Sequence, residues 1–215
     1  MKHLLTGLAI LLVCGCASEE GRQWSSRSES VIEPGSPALQ QPVASRIEVL
    51  DEAIRVSAVD LLMQASQSED PLLRANAIEG LQPVGEQLDE VVRFGMTDEN
   101  EGVRYIAVLS VGMQRLCSLS HLVRPMLDDA SPSVRAAAMF SLERCGDEVD
   151  LSPLAGMVLG GDPTAKANAA FVLGELGNPS AIPLIRSGVG RRMGQVDPAR
   201  VQAIDLVMAE AMVRL

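Results

Sequence analysis

Aromatic residues are almost missing from this sequence: one Trp, one Tyr and three Phe make up 2% of its 215 residues. The apolar fraction is nevertheless 47%, and it comes mostly from Leu, Ala, Val and Met. A β-sandwich would need aromatic and β-branched residues in alternation. The composition therefore favours closely packed helices, because Leu, Ala and Met are strong helix formers.

Positive charge is also scarce. The 18 Lys and Arg residues are outnumbered by 28 Asp and Glu, which gives a formal net charge of −10. A surface of this sign repels the phosphate backbone of nucleic acids. We therefore expect no nucleic-acid partner.

Residues that carry catalysis are few. The chain has two His, and His3 lies in the N-terminal leader, so only His121 remains. Catalytic and metal sites need several convergent His, Cys, Asp, Glu or Ser side chains, and no glycine-rich phosphate loop is present. We therefore expect no enzyme, and no catalytic, cofactor-binding or metal-binding residues. His121 is expected to be a turn or surface residue.

Two cysteines, Cys117 and Cys145, lie outside the leader. A disulfide between them is one alternative, which an oxidising compartment would favour. They are expected near the ends of neighbouring helices, which pack about 8 to 10 Å apart, and they differ by about one helical turn in register. We therefore expect two separate buried thiols.

The N-terminus has the pattern of a secretory leader. Met1, Lys2 and His3 form a short positive start, and residues 4–13 form an apolar run. Ten residues are too few to span a bilayer, whereas a signal peptide has this length and these flanks.

The leader ends in Val13-Cys14-Gly15-Cys16, which resembles the lipobox of bacterial lipoproteins. The resemblance implies that residues 1–15 are a lipoprotein signal peptide and that Cys16 carries the lipid, including palmitate. Ala17 follows where an Asp would retain the protein at the inner membrane, so the resemblance implies an outer-membrane anchor on the periplasmic side of a Gram-negative envelope. The alternative is an ordinary secretory signal that is cut near Ala17.

Residues 16–45 combine this cysteine with a stretch rich in Ser, Glu, Gln, Pro and Gly that has no helical or alternating period. Such a composition is typical of a disordered tether. Residues 46–215 are then the folded domain.

One pattern recurs five times in that domain, and its starts are separated by 30, 31, 31 and 35 residues. A period of this length is typical of a solenoid. The five segments begin at Asp70, Asn100, Ser131, Asp162 and Asp197. Each start is a good helix N-cap, and four are followed by Pro at the first helical position. A second, shorter apolar helix is predicted over residues 88–96, 119–127, 151–159 and 181–189.

Each segment carries a basic residue and, three residues later, an alanine. The basic residues are Arg74, Arg104, Arg135, Lys166 and Arg200, and the alanines are Ala77, Ala107, Ala138, Ala169 and Ala203. Small side chains at a recurring position let neighbouring helices approach closely. Gly85, Gly146 and Gly177 each lie fifteen residues after their N-cap, where glycine ends a helix.

The pattern resembles the HEAT family, and in particular the short HEAT-like repeats first associated with phycobilisome lyases. The segment DPTAKANAAFVLGELG from Asp162 is the nearest match to the repeat pattern D-P-x-V-R-x-x-A-x-x-A-L-G-x-L-G. The resemblance implies an all-α fold, an α-α superhelix (HEAT-like solenoid). It also implies that the five basic residues form a structural ladder of hydrogen bonds between successive repeats.

We therefore expect about four helical hairpins with a flanking helix at each end. The first flanking helix, with Ile47, Leu50, Ile54, Val59 and Leu62, is expected to cover one open end of the stack. The last helix places Leu206 and Val213 away from the main apolar stripe. We predict an exposed apolar face there, covered by a partner or by a second copy in a homo-oligomer.

The function that these features favour is a membrane-anchored scaffold or adaptor lipoprotein of the cell envelope, which binds a protein partner through its repeats. The expected partner surface is the concave row of second helices. The alternative is an enzyme or enzyme subunit related to HEAT-repeat lyases of the chromophore lyase type. Repeat similarity alone is weak support for that alternative.

Overall fold

The computed structural model describes residues 43–85, 87–191 and 196–215, with side chains described from residue 51 onward. Every regular element in these ranges is helical, which confirms the all-α prediction. The leader, Cys16 and the tether up to residue 42 lie outside the described residues.

Ten α-helices follow one another in the described ranges. They are α1 Val43–Ala65, α2 Pro71–Leu81, α3 Leu88–Gly95, α4 Glu101–Gln114, α5 Ser120–Val123, α6 Pro132–Cys145, α7 Pro153–Leu159, α8 Pro163–Leu176, α9 Ile182–Gly188 and α10 Pro198–Arg214. Short 3₁₀ turns cover Cys117–Leu119, Arg124–Asp128 and Pro179–Ala181. Helices α2/α3, α4/α5, α6/α7 and α8/α9 form four hairpins, here called units 1 to 4, between the flanking helices α1 and α10.

The first helix of each unit begins where its N-cap residue predicts. The side chains of Asp70, Asn100 and Asp162 each accept a hydrogen bond from a backbone amide in the first turn. Ser131 and Asp197 occupy the same position without a side-chain cap bond. An N-cap acceptor satisfies an amide that has no partner within the helix.

The second helix of unit 2 is shorter than predicted. Helix α5 ends at Val123 and the chain continues as a 3₁₀ turn. Pro125 lies two residues after this end, and a proline nitrogen has no hydrogen to donate to the carbonyl four residues earlier. The expected helix over residues 119–127 is therefore divided into three short pieces.

The core lies where successive first helices pack side by side. Ala107, Ala138 and Ala169 are completely buried there. Gly112 of α4 lies so close to α6 that an added Cβ would be 2.6 Å from Phe140 Cε1 and 2.8 Å from the Ser141 Cα. The Ser141 hydroxyl accepts a hydrogen bond from the Gly112 amide at 3.0 Å and donates to the Val108 carbonyl at 2.6 Å. These small residues set the spacing of the units.

Helix α1 covers the first end of the stack as expected, but the prediction that Ile54 belongs to its covering face is wrong. Val59, Leu62 and Met63 pack against the core, but residues 51–58 are exposed and Ile54 is 67% accessible. Helix α1 has 23 residues and α2 has 11, so their lengths are about 34 and 16 Å. The N-terminal half of α1 therefore extends past the helix on which it packs.

Helix α10 packs on α8 in the way that one first helix packs on the next. An added Cβ at Gly174 would lie 2.9 Å from the Ala211 Cα. On the outer side, Leu206 and Val213 are 55% and 88% exposed. The predicted exposed apolar face is therefore present. Within the described residues, no helix combines the length and the apolar character that a membrane span requires.

The expectation of two separate thiols is also wrong, because Cys117 and Cys145 form a disulfide with their Cα atoms 5.3 Å apart. Cys117 does not continue the first helix of its unit. Helix α4 ends at Gln114, and Arg115 adopts a left-handed conformation with φ 53° that turns the chain back. This turn brings Cys117 to the C-terminal end of α6, where Cys145 lies.

We predict that Gly112→Ala destabilises the protein by about 1 to 3 kcal/mol, because the backbone of Ser141 blocks the added methyl group. The matched control is Gly156→Ala in α7, where an added Cβ meets nothing within 4 Å. The control should raise the free energy of unfolding by up to about 1 kcal/mol, because alanine favours helix. Urea unfolding followed by circular dichroism measures both. Equal stability of the two variants would contradict the close approach.

The arginine ladder and a candidate binding groove

The basic residue of unit 1 joins two successive loops. Arg74 donates from Nε and Nη2 to the two carboxylate oxygens of Asp98, each at 2.7 Å. Its Nη1 donates to the Ser68 carbonyl at 2.9 Å and the Glu69 carbonyl at 3.0 Å. Ser68 and Glu69 precede the first helix of unit 1, and Asp98 precedes that of unit 2. One guanidinium thus links both loops.

Unit 2 repeats this arrangement. Arg104 donates from Nε and Nη2 to Asp129 at 2.9 and 3.0 Å, and from Nη1 to the carbonyls of Asp98 and Glu99 at 2.9 and 3.0 Å. Asp98 is therefore held from both sides, by Arg74 through its carboxylate and by Arg104 through its carbonyl. We call these contacts the arginine ladder.

The ladder loses its carboxylates in units 3 and 4. Arg135 donates from Nη1 to the carbonyls of Asp129 and Ala130 at 2.6 and 3.0 Å. The position two residues before the next N-cap, which holds Asp98 and Asp129 in the earlier loops, is Gly160 here. Arg135 therefore keeps the hydrogen bonds to the loop before its own helix and has no carboxylate partner in the next loop.

Lys166 and Arg200 occupy the last two ladder positions differently. Lys166 has no exposed surface, and its Nζ donates to the Gly188 carbonyl at 3.2 Å. Arg200 is exposed and donates from Nη2 to the Thr164 hydroxyl at 2.8 Å. The structure thus places all five predicted residues at the same end of the first helices, and a guanidinium–carboxylate pair joins the loops at the first two.

The folded structure favours the charged form of some ladder residues and the neutral form of another. Burial opposes ionisation of Asp98 and Asp129, but hydrogen bonds from Arg74 or Arg104 and from a backbone amide outweigh it, so the pKa of each carboxyl is lowered. Burial lowers the pKa of Lys166; the Arg191 charge lowers it further, and Asp205 opposes these effects. The carboxylate pairs are therefore stabilised as ions, whereas the buried lysine is destabilised as a cation.

The opposite edge of the stack carries an unusual arginine. Arg115 lies fifteen residues after its N-cap, the position at which the other units have Gly85, Gly146 and Gly177. All four residues have positive φ. A non-glycine residue in this conformation costs about 1 kcal/mol. Unit 2 thus carries a guanidinium where glycine would be more stable, and strain of this kind is common at functional sites.

A groove of about 650 Å³ lies beside this arginine, between units 3 and 4. Its apolar lining consists of Leu151, Leu173, Leu176, Ala181 and Leu184. Arg115, Arg144 and the exposed Glu143 are among its polar lining residues, and Cys145 of the disulfide also lines it. The volume suits a short peptide segment or a small ligand. We call this the binding groove.

The two arginines of the binding groove have unused hydrogen-bonding capacity. Arg115 donates from Nη1 to the Arg144 carbonyl at 3.4 Å. The Cζ of Arg144 lies over the Phe140 ring, 5.9 Å from its centroid. The buried Nε of Arg144 has no hydrogen-bond partner, and neither guanidinium pairs with a carboxylate among the described residues. A buried donor without an acceptor is costly. The pair is therefore chemically suited to an anionic group.

Sequence reasoning missed these groove residues and the two ladder aspartates. The signal for Asp98 and Asp129 is an acid two residues before the N-cap in two consecutive units. The signal for Arg115 is an exception to the repeat pattern. Unit 2 is the one unit of the four that has no glycine fifteen residues after its N-cap. His121 lies at the surface, and its Nδ1 is 2.9 Å from the Ser118 carbonyl.

The fold and the ladder define a HEAT-like helical repeat protein. Residues 165–190, which run from α8 through α9, match the family model described as PBS lyase HEAT-like repeat. A comparison with curated proteins finds no match to the chain. HEAT-like repeats in general mediate protein–protein interactions. Among the described residues, no group of three or more His, Cys, Asp or Glu is placed to hold a metal ion.

We predict that Asp98→Asn with Asp129→Asn destabilises the protein at neutral pH by about 2 kcal/mol for each lost charged pair. The matched control is Asp128→Asn, an exposed neighbour of Asp129, which should change stability little. Chemical unfolding at neutral pH measures the difference. A double variant as stable as the control would contradict the ladder.

The same pairs should make stability depend on pH. Because the folded state lowers the pKa of Asp98 and Asp129, their contribution is present above the ordinary aspartate pKa of about 3.9. It is lost as the pH falls through the lowered value in the folded state. The wild type should therefore lose more stability than the double variant between neutral pH and about pH 3. Parallel losses would contradict this assignment.

Proposed function

We propose that this protein is a lipid-anchored adaptor of the cell envelope that holds a protein partner through its HEAT-like repeats. The observation that carries the proposal is the binding groove, in which apolar side chains lie beside two guanidiniums without carboxylate partners. The proposed occupant is a segment of a partner protein that presents a carboxylate next to aliphatic side chains.

The arginines of the groove match this occupant in charge. The chain as a whole has a net charge of −10, so two neighbouring arginines that form no salt bridge among the described residues stand out against an acidic background. A bound carboxylate would accept hydrogen bonds from the guanidiniums of Arg115 and Arg144, both of which line the groove. Charge-assisted hydrogen bonds of this kind are stronger than neutral ones, and partly desolvated arginines are enriched among residues that dominate binding energy.

The edge of the stack is suited to hold these groups still. The Cys117–Cys145 disulfide joins the end of α6 to the turn after Arg115, so the two arginine-bearing segments are covalently linked. Fixing a binding group before the ligand arrives reduces the entropy lost on association. This location differs from the concave row of second helices that the repeat pattern suggested.

The membrane attachment rests on the leader sequence. Val13-Cys14-Gly15-Cys16 supports lipidation of Cys16, and residues 16–45 would connect the anchor to the helical stack. In this proposal the protein lies at the periplasmic face of an outer membrane if the organism is Gram-negative. Acyl chains contribute about 0.8 kcal/mol for each buried methylene, so several chains anchor a protein firmly.

The proposed role is binding without catalysis. The matched family model carries the word lyase in its description, but a repeat shared with an enzyme family does not carry that family's chemistry. The pairing of copies through α10, with Leu206 and Val213, is a prediction from the sequence and is not part of this proposed function. The absence of a cofactor also stays a prediction.

The test of the groove is Arg115→Gly. The change removes one guanidinium and relieves the positive φ, so the free energy of unfolding should stay equal or rise by about 1 kcal/mol. Crosslinking pull-downs from membranes, with mass-spectrometric identification, should nevertheless recover much less of the partner. Because stability does not fall, the lost binding cannot come from unfolding.

Two controls make this result decisive. Arg186→Ala removes an exposed positive charge of α9 outside the groove lining and should leave partner recovery unchanged. Cys16→Ala should move the protein from the membrane to the soluble fraction while the purified protein keeps its affinity for the same partner. Equal recovery with Arg115→Gly and Arg186→Ala would reject the groove, and unchanged membrane association of Cys16→Ala would reject the anchor.

A further inference from the structure

Helix α1 has two apolar faces, and the helical stack covers only one of them. Val59, Leu62 and Met63 pack against the core. Ile54 and Leu61 are 67% and 58% exposed. At 100° per residue, the centre of this second pair lies about 140° around the helix from the centre of the first group. Most of the exposed face is therefore turned away from the packed face.

The exposed face has the spacing of a coiled-coil seam. Counting along the chain, Ile47, Leu50, Ile54, Ser57 and Leu61 follow one another at intervals of three and four residues. These intervals place Ile47, Ile54 and Leu61 at a positions and Leu50 and Ser57 at d positions of a heptad. Isoleucine at a positions with leucine at a d position favours two parallel strands.

The same helix carries a charge pair that suits pairing with a copy of itself. In this heptad Arg46 occupies a g position and Asp51 the e position five residues later. In a parallel two-stranded coiled coil a g residue faces the e residue of the next heptad on the other strand. A symmetric dimer forms this contact twice. Within one chain, Asp51 Oδ2 lies 3.7 Å from Arg55 Nη2, and both side chains are about 70% exposed. Such an exposed pair contributes little to stability, so it leaves Asp51 available to pair with the second copy.

The length of α1 also favours pairing with a second copy. Residues 51–58 are exposed, and this half of the helix extends beyond α2. A helical segment of this length is marginal by itself in water, because its stability normally comes from packing of an apolar face. We propose that the a/d face of α1, with Ile54, Ser57 and Leu61, pairs with the same face of a second copy as a parallel two-stranded coiled coil. The dimer would leave the binding groove free on each copy.

Sizing with light scattering over a range of concentrations tests the dimer. Every variant is made in the full chain with Cys14→Ser and Cys16→Ser and is kept in the same detergent. The reference chain should show twice the 22.9 kDa of one chain, and Ile54→Glu with Leu61→Glu should show the monomer mass. Because both side chains are exposed, thermal unfolding of this variant should match that of the monomeric reference at high dilution. A reference chain that is monomeric throughout would overturn the proposal.

The matched control lies at the other end of the stack. Leu206→Glu with Val213→Glu adds the same charge to the exposed face of α10, so it should leave the dimer intact. If the α10 variant is monomeric and the α1 variant is dimeric, the copies pair through α10 and the proposal is wrong. If both variants stay dimeric, neither face holds the copies together and the proposal is wrong as well.

Single cysteines test the parallel register independently of stability. Leu50→Cys and Ser57→Cys, both at d positions, should each give a disulfide-linked dimer under mild oxidation. Glu52→Cys lies on the same helix at an outward f position and should not crosslink. In an antiparallel pair, positions 50 and 57 cannot both face their own copies, so crosslinking at only one of them would overturn the parallel arrangement. Equal crosslinking at residue 52 would overturn the seam.

Discussion

The structure depends on how closely the first helices of successive units approach each other. Alanine at the recurring position, glycine at 112 and 174, and the buried Ser141 leave no room for larger side chains between α4, α6, α8 and α10. Close packing of this kind gains dispersion energy across the whole contact, although each atom pair contributes little. The same spacing brings the loops before these helices near enough for one arginine to reach two of them.

The arginine ladder uses that spacing to fix loops that have few apolar contacts of their own. Arg74 and Arg104 each join their own loop to the next one, and the paired aspartates also accept backbone amides at 2.8 Å. In unit 4 the ladder position is Lys166, which is buried and whose pKa is lowered by burial. The guanidinium–carboxylate pairs of the ladder therefore lie only in the N-terminal half of the stack, while in the C-terminal half Arg214 of α10 pairs with Glu175 of α8 at 3.3 Å.

The two edges of the stack consequently have different properties. One edge carries the two guanidinium–carboxylate pairs of the ladder, whereas Arg115 and Arg144 at the other edge lie beside an apolar groove and have no carboxylate partner among the described residues. Paired charges at 2.7 Å stabilise a fold, while unpaired donors next to apolar surface are available to a ligand. The disulfide lies at the second edge, where it holds the chain turn that carries Arg115.

The repeat period, the N-cap residues and the recurring alanines determined the helical hairpins and their order, because each of these signals acts within a few residues or repeats along the chain. The ends of the stack were harder to predict, since amphipathicity in α1 does not say which of two apolar faces packs. The disulfide and the groove were decided only by the tertiary structure. Arg115 reverses the chain through a left-handed conformation, and that single turn brings Cys117 to Cys145 and places both arginines at one surface.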